Sequence, residues 1–349
     1  MRLTTPLLIA GLAVIAAPAG ARDAGHRVVL RDVIGTMKPG AYQGRNNGPE
    51  QTEHFSHKAK IGRDGRFSLS NIAGDITVTA ATGDEILIEA VKRTRGDKSE
   101  LARVQITVDE RGGRVDVRTE HKQNGTDRNR YSDHVSVDYT VAVPASASVD
   151  LHSVSGSVKV TGVHGSLRAE TVSGDVTISD APRLEAAKTV SGNVSLLNVT
   201  ADGDLSAGSV SGNVRAKGIK ARGLDLGSVS GDINVSEVPC ERLGVKSVSG
   251  SVEYAGGIAK GGRYEINSHS GTIRLLLANP GGFELNANSF SGSIRSELPL
   301  TINGDSARRN GDVRNRRDGG NHSMRATFGD GSATLVVRTF SGDVIIAKR

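Results

Sequence analysis

Tryptophan is absent from this 349-residue chain, aromatic residues make up only 3% of it, and Cys240 is its one cysteine. Without large rings a single deep core is hard to fill. The apolar residues, 36% of the chain and chiefly Val, Ile, Leu and Ala, therefore point to many thin repeated layers. One thiol excludes an internal disulfide, so stability must rest on main-chain ladders and stacked side chains. Beyond the N-terminus no apolar run approaches the roughly twenty residues that cross a bilayer as a helix. Neither a zinc-ligand spacing nor a glycine-rich phosphate loop is present, so no metal, no cofactor and no catalytic residue is assigned. Basic and acidic residues number 44 and 38, giving a formal charge of +6. Because the two signs are interspersed, this is a mildly basic surface and not a nucleic-acid footprint.

The N-terminus has the make-up of a secretory signal. Arg2 supplies the positive start, Leu7 to Ala17 an apolar stretch, and Ala19-Gly20-Ala21 the small residues of a cleavage site. A signal peptide over 1–21 predicts an exported protein of the periplasm or cell surface, and with no cysteine at the cleavage site a lipid anchor is not expected. Residues 22–60 show no period and are expected to form an irregular arm.

What the chain does have is glycine, 44 residues of it, and a repeat. From residue 153 the pattern [Ser/Thr]-x-Ser-Gly-[Ser/Asp/Asn/Thr]-[Val/Ile] recurs, placing Gly156, Gly174, Gly192, Gly212, Gly231, Gly250, Gly271 and Gly292 at steps of 18, 18, 20, 19, 19, 21 and 21 residues. Gly342 closes the series, and Asn71 to Val78, with Gly74, is a degenerate early copy. Apolar residues alternate in steps of two, as in Val172, Val176 and Ile178, with Ser173, Asp175 and Thr177 between them, which predicts a half-buried strand. A second apolar strand follows in each unit, as at Leu167 and Ala169 or Leu243 and Val245. About twenty residues are too few for a strand-helix crossover, so the units must stack and cover one another's apolar faces. The predicted fold is all-β: a β-solenoid, a single-stranded β-helix-like stack of coils of 18–21 residues over 151–349, capped by an N-terminal antiparallel β region within 61–150. The repeat glycines are required either because a Cβ would crowd a narrow interior or because the corner needs a backbone angle that only glycine adopts easily. A polar, arginine-rich insertion over 303–325 interrupts the stack.

Three segments carry a family resemblance: Val135 to Pro144, the Ser-Gly-Asp/Asn/Ser-Val units, and Phe328-Gly329-Asp330-Gly331 leading to Thr339-Phe340-Ser341-Gly342-Asp343-Val344. Over about residues 61–349 the chain resembles the adhesin-like family of bacterial exported proteins, a family of unknown function. The resemblance implies a stacked-repeat architecture and transfers no catalytic residue.

Several groups invite chemistry. The residues after the repeat glycines form an outward row, Ser157, Asp175, Asn193, Asn213, Asp232, Ser251, Thr272, Ser293 and Asp343, but Asp175 and Asp232 lie three coils apart, about 14 Å, too far for the ~5–9.5 Å of a glycosidase carboxylate pair. An amide ladder at Asn193 and Asn213 is the simpler reading. Two hydroxyls per unit before each glycine could form a docking lattice, although Ser and Thr more often bond nearby backbone. His54 and His57 lack further ligands, Asp150, His152 and Ser153 alternate across a strand and cannot form a triad, and Cys240 reads as a small structural residue. In the insertion, Arg308, Arg309, Arg314, Arg316 and Arg317 form a possible ligand-binding loop for anionic polymers. The function expected is a non-enzymatic, adhesin-like or structural binding protein of the cell envelope, its partners anionic envelope polymers or another surface protein. The alternatives are a carbohydrate-active β-helix enzyme, lyase or hydrolase, and an envelope-stress sensor. Oligomeric state is not legible.

Overall fold

The computed structural model describes residues 49–121, 135–278, 280–302 and 322–349, so the signal segment and the Arg308–Arg317 group lie outside the described residues. All of the strands belong to the unit that begins at Asn46.

The fold is a β-solenoid built from two long sheets, which hold 13 and 14 strands among the described residues. Each coil gives one longer strand to the 14-stranded sheet and one short strand to the 13-stranded sheet. Leu167–Ser173 and Val176–Ser179 make one such coil, and Leu184–Ser191 with Val194–Leu197 the next. Successive coils pair in parallel and nearly in register, for example Thr171 with Thr189 and Val176 with Val194. Inward residues are buried throughout, as Leu167, Ala169, Val176 and Ile178 show at 0% exposure. A coil has only a few such residues, so its apolar faces are covered by the coils on either side.

The strand boundary differs from the one the alternation predicts. Alternation alone runs a strand through Ser-Gly with Val172 inside; the structure ends that strand at Ser173 and begins another at Val176. Gly174 has φ +143° and turns the chain, so the alternation restarts on the new strand and Val172 is left on the outside, 49% exposed. The apolar pair at Leu167 and Ala169, expected as a separate strand, is the beginning of the same long strand.

The N-terminal region is an antiparallel cap around two further parallel layers. Arg66–Ala73 and Ile76–Ala81 form a coil directly against Ser148–Ser155 and Val158–Thr161. Arg114–His121 and Ser136–Pro144 add another layer beyond it. Val104–Arg111 then closes one sheet, and Glu85–Thr94 followed by Gln51–Lys60 the other, all antiparallel. Residues 51–60, expected from sequence to end an irregular arm, are therefore a ten-residue strand paired along its full length with Glu85–Thr94. Its polar surface hid it: only Ala59 is buried, and alternation cannot show on an edge that packs so little.

At the other end the chain order departs from the spatial order. The last coil, Ala333–Ser341 and Val344–Lys348, lies between the coil Arg263–Leu277 and the coil Phe283–Ser296, pairing in parallel with both. His322–Phe328 covers Phe283–Ser291 as an antiparallel strand. The end of the expected insertion over 303–325 falls within the strand His322–Phe328, where Met324 and Ala326 pair with Ala287 and Leu285; residues 303–321 lie outside the described residues.

Candidate binding surfaces of the stack

The repeat motif builds one corner of the solenoid, and each of its positions runs along the stack as a column. The first hydroxyl points inward and is buried at Ser153, Thr171, Thr189, Ser209, Ser228, Ser247, Ser268, Ser289 and Thr339. Most of these hydroxyls donate to a repeat-glycine carbonyl, usually that of the preceding coil: Thr189 Oγ1 to Gly174 O at 2.9 Å, Ser209 Oγ to Gly192 O at 2.8 Å and Ser228 Oγ to Gly212 O at 3.1 Å. Ser153 is left without a partner where Asn71 Nδ2 already donates to Gly74 O. This inward row does the local backbone work of Ser and Thr and offers nothing to a ligand. The second serine of each motif is exposed.

The glycines form a column in the order Gly74, Gly156, Gly174, Gly192, Gly212, Gly231, Gly250, Gly271, Gly342, Gly292, with φ from +108° to +152°. A Cβ on any of the last nine would overlap the backbone carbonyl of the glycine before it in this column, and one on Gly74 the carbonyl of Val137. The reason for glycine is thus the close stacking of corner on corner together with the left-handed turn, and not a crowded interior.

Beyond the glycine, the polar row is spent on the stack. Asp175 Oδ1 accepts from the backbone N of Asn193 at 2.7 Å, Asn193 Oδ1 from Asn213 N at 2.9 Å, Asn213 Oδ1 from Asp232 N at 2.9 Å and Asp232 Oδ1 from Ser251 N at 2.8 Å. Asp343 repeats the arrangement with Ser293, whose N–H and hydroxyl hold the Asp343 carboxyl below its ordinary range. These side chains replace ladder bonds that the corner interrupts. Asp175 and Asp232 are each engaged with a different coil and do not converge.

The residue between the two hydroxyls is the feature that sequence reasoning missed. Ile72, Val154, Val172, Val190, Val210, Val229 and Val248 are 36–52% exposed, and Phe340 and Phe290 are each 49% exposed. They form one continuous apolar column on the outer face of the 14-stranded sheet, with His269 as its polar member. The column ends in a stack of rings, His269 on Phe340 at 5.0 Å and Phe340 on Phe290 at 4.7 Å between centroids. The signal was available: the variable position of Ser-x-Ser-Gly is apolar in almost every copy. Reading the motif as uninterrupted strand put those residues inside.

The other candidates resolve as structure. His57 Nε2 meets Glu110 Oε1 at 2.6 Å and joins the edge strands of the two sheets, while His54 is exposed. His152 Nε2 lies 3.1 Å from Asp150 Oδ1 on the outer face, with Ser153 buried on the inner one. Cys240 is buried, its thiol pushed up to about 12 by desolvation, and its carbonyl accepts from the Tyr264 hydroxyl at 2.9 Å. Among the described residues no cluster of His, Cys, Asp and Glu has the geometry to hold a metal ion, and no helix is long and apolar enough to cross a membrane.

A two-sheet stack of short coils, turned at a glycine column and dressed outside with uniform rows, defines a repeat scaffold of the solenoid class. Within that class the chain belongs to the Toastrack DUF4097 family, which matches residues 65–347. No curated protein matches it. Among solved structures it is similar to a candidate adhesin from Bacteroides fragilis NCTC 9343, with 13% identity, a TM-score of 0.41 and coverage of 84% of this chain and 97% of that one. It is also similar to a candidate lipid-binding protein from Parabacteroides distasonis ATCC 8503, with 14% identity, a TM-score of 0.35 and coverage of 87% and 98%. At these scores the likeness carries no functional argument.

Proposed function

We propose that this chain is an exported, non-enzymatic binding protein of the cell envelope that uses the outer flank of its stack as a platform for an extended polymer. The observation that carries the reading is the exposed column from Ile72 to Phe290, apolar on nine of ten successive layers with His269 on the tenth. A contiguous exposed apolar strip of this kind marks an interaction surface, and its regular pitch suits a partner that is itself extended. In the polar row after the glycines, Asp175 and Asp232 each bond the backbone of a different coil and do not converge as an acid-base pair. The basic group Arg308, Arg309, Arg314, Arg316 and Arg317 would add attraction for anionic polymers.

A pull-down from envelope extract tests this. The intact protein should retain acidic polymer. Replacement of Val190, Val210 and Val229 by serine should weaken retention without altering the circular-dichroism spectrum. Deletion of residues 303–321, sparing the strand His322–Phe328, should weaken it further, and unchanged retention in both variants would reject the platform. Turnover of an acidic polysaccharide by the intact protein would favour the carbohydrate-active enzyme instead.

A further inference from the structure

The exposed column from Ile72 to Phe290 has an ordered row of charges beside it on the outer face of the 14-stranded sheet. Two residues before the column on each strand, this row reads Glu170, Lys188, Gly208, Gly227 and Lys246 from coil to coil. Neither lysine has an ion-pair partner among the described residues. Glu170 is held only loosely, by His152 at 3.8 Å and Arg168 at 4.0 Å. Taken from Gly208 outward, Glu170 and Lys246 stand two coils away on either side with opposite signs. One coil away, the long side chain of Lys188 is matched by Gly227, which has none. A row of this kind is complementary to its own reversed copy, which is the condition for a two-fold interface.

The next row repeats the property. It reads Arg168, Ala186, Ser206, Asp225 and Gly244. Reversed about Ser206, Arg168 comes to oppose Gly244, and the space over Gly244 is held by the Asp225 carboxylate. The column itself is nearly uniform over the same coils, with Val172, Val190, Val210, Val229 and Val248 each 44–49% exposed. Three adjacent rows are therefore self-complementary about one strand, Thr200–Ser211, in charge, in side-chain length and in apolar character.

We propose that this face is an interface between two copies of the chain, packed face to face with their stacks antiparallel about a two-fold axis at Gly208 and Val210. Glu170 of each copy meets Lys246 of the other, Arg168 meets Asp225 over Gly244, and Lys188 lays its stem over Gly227. In the column Val210 packs on its own equivalent, Val190 on Val229, Val172 on Val248 and Ile72 on Phe340, which removes the exposed apolar surface from water. Asp150 and Glu265, like charges that this arrangement opposes, are engaged by His152 and Arg338, and Glu185 by Arg168. Sliding one copy by a layer in one direction sets Lys188 against Lys246, and in the other it leaves Glu170 facing Gly227. With layers roughly 4.8 Å apart, the overlap from Ile72 to Phe340 across three rows covers about 800 Å² per copy, the size of a stable protein interface. The inference stands on the same column as the polymer reading without depending on it: a second copy and a polymer would compete for that surface.

Sedimentation velocity on the full-length protein, over a range of concentrations at low salt, provides the test. A monomer–dimer equilibrium is expected. Glu170→Lys should raise the dimer dissociation constant at least roughly tenfold, about 1.4 kcal/mol. Lys246→Glu should do the same, because either reversal sets like charges together twice in the dimer. The combined swap, Glu170→Lys with Lys246→Glu, should restore association to near its original strength. Val210→Lys, which puts two cations on the axis, should leave a monomer, and Lys159→Glu, an exposed cation on the opposite sheet, should change nothing. A protein that stays monomeric throughout overturns the proposal. So does a dimer indifferent to the single reversals and to Val210→Lys, a combined swap that fails to restore association, or an equal loss in Lys159→Glu. Should Val210→Lys fail to fold, the exposed charge variants decide. Retention of envelope polymer by a protein that never dimerises would remove only the dimer, and a dimer that retains no polymer would remove only the platform.

Discussion

Gly212 and Gly227 lie within one coil of each other and should respond to the same substitution in opposite ways. At Gly212, with φ +152° and the Gly192 carbonyl against the would-be Cβ, alanine strains the turn and pushes adjacent corners apart. A loss above about 4 kcal/mol, or failure to fold, is expected. Gly227→Ala meets open space in an ordinary strand conformation and should be neutral or add about 0.4–1 kcal/mol. Urea denaturation of the two variants side by side measures the contrast. Asn213 lies between: Asn213→Ala strands the Asp232 N–H and should cost about 1 kcal/mol, while Asn213→Asp keeps the acceptor and much of the stability. Asp343 adds a pH term. Its carboxyl is held below the ordinary value by the Ser293 N–H and hydroxyl, so its contribution is complete above the unfolded value near about 3.9 and is lost as pH falls through the folded one. Asp343→Asn preserves the acceptor oxygen and should remove that part of the acid sensitivity, read as a smaller shift in the urea midpoint between neutral and acid pH.

The last coil is the element on which the C-terminal end depends. Ala333–Ser341 and Val344–Lys348 fill the space between the coil Arg263–Leu277 and the coil Phe283–Ser296, with Leu335, Val337, Val344 and Ile346 buried on both sides. Ending the chain at residue 332 would remove the coil that joins Phe283–Ser296 to the rest of the stack and leave it only the antiparallel strand His322–Phe328. Hydrogen exchange should then be fast throughout 283–296 and remain slow in the coils between 158 and 256, because each layer is held by its immediate neighbours. Uniform loss of protection across the stack would show instead that the solenoid folds as a single unit. At the opposite end, the antiparallel strands Gln51–Lys60 and Val104–Arg111 leave polar, charged edges that discourage further pairing.

Across the whole unit, the packing of coil on coil and the exposed apolar column both run along one axis. Most layers repeat the same few bonds, so a substitution in one corner should be felt mainly one or two layers away, and a polymer of the proposed kind would gain affinity from many weak contacts. The repeat spacing made this architecture legible. Steps of 18 to 21 residues exclude crossover helices, and buried Leu167, Ala169, Val176 and Ile178 follow the expected period of two on each side of the turn. The strand Gln51–Lys60 was not legible, since an edge strand with one buried residue has no apolar rhythm to detect. The apolar column was misplaced for a different reason: the phase of the alternation resets at Gly174 and its equivalents, and a sequence does not display a dihedral angle.

The amino-acid sequence alone determined the repeating coil, its glycine corner and its all-β character, because those depend on composition and local spacing. The tertiary structure decided the rest. It placed the last coil inside the stack and turned the Ser-x-Ser valines outward. Residues some twenty positions apart become neighbours only when coils stack in register, and that register is set by backbone pairing along the axis.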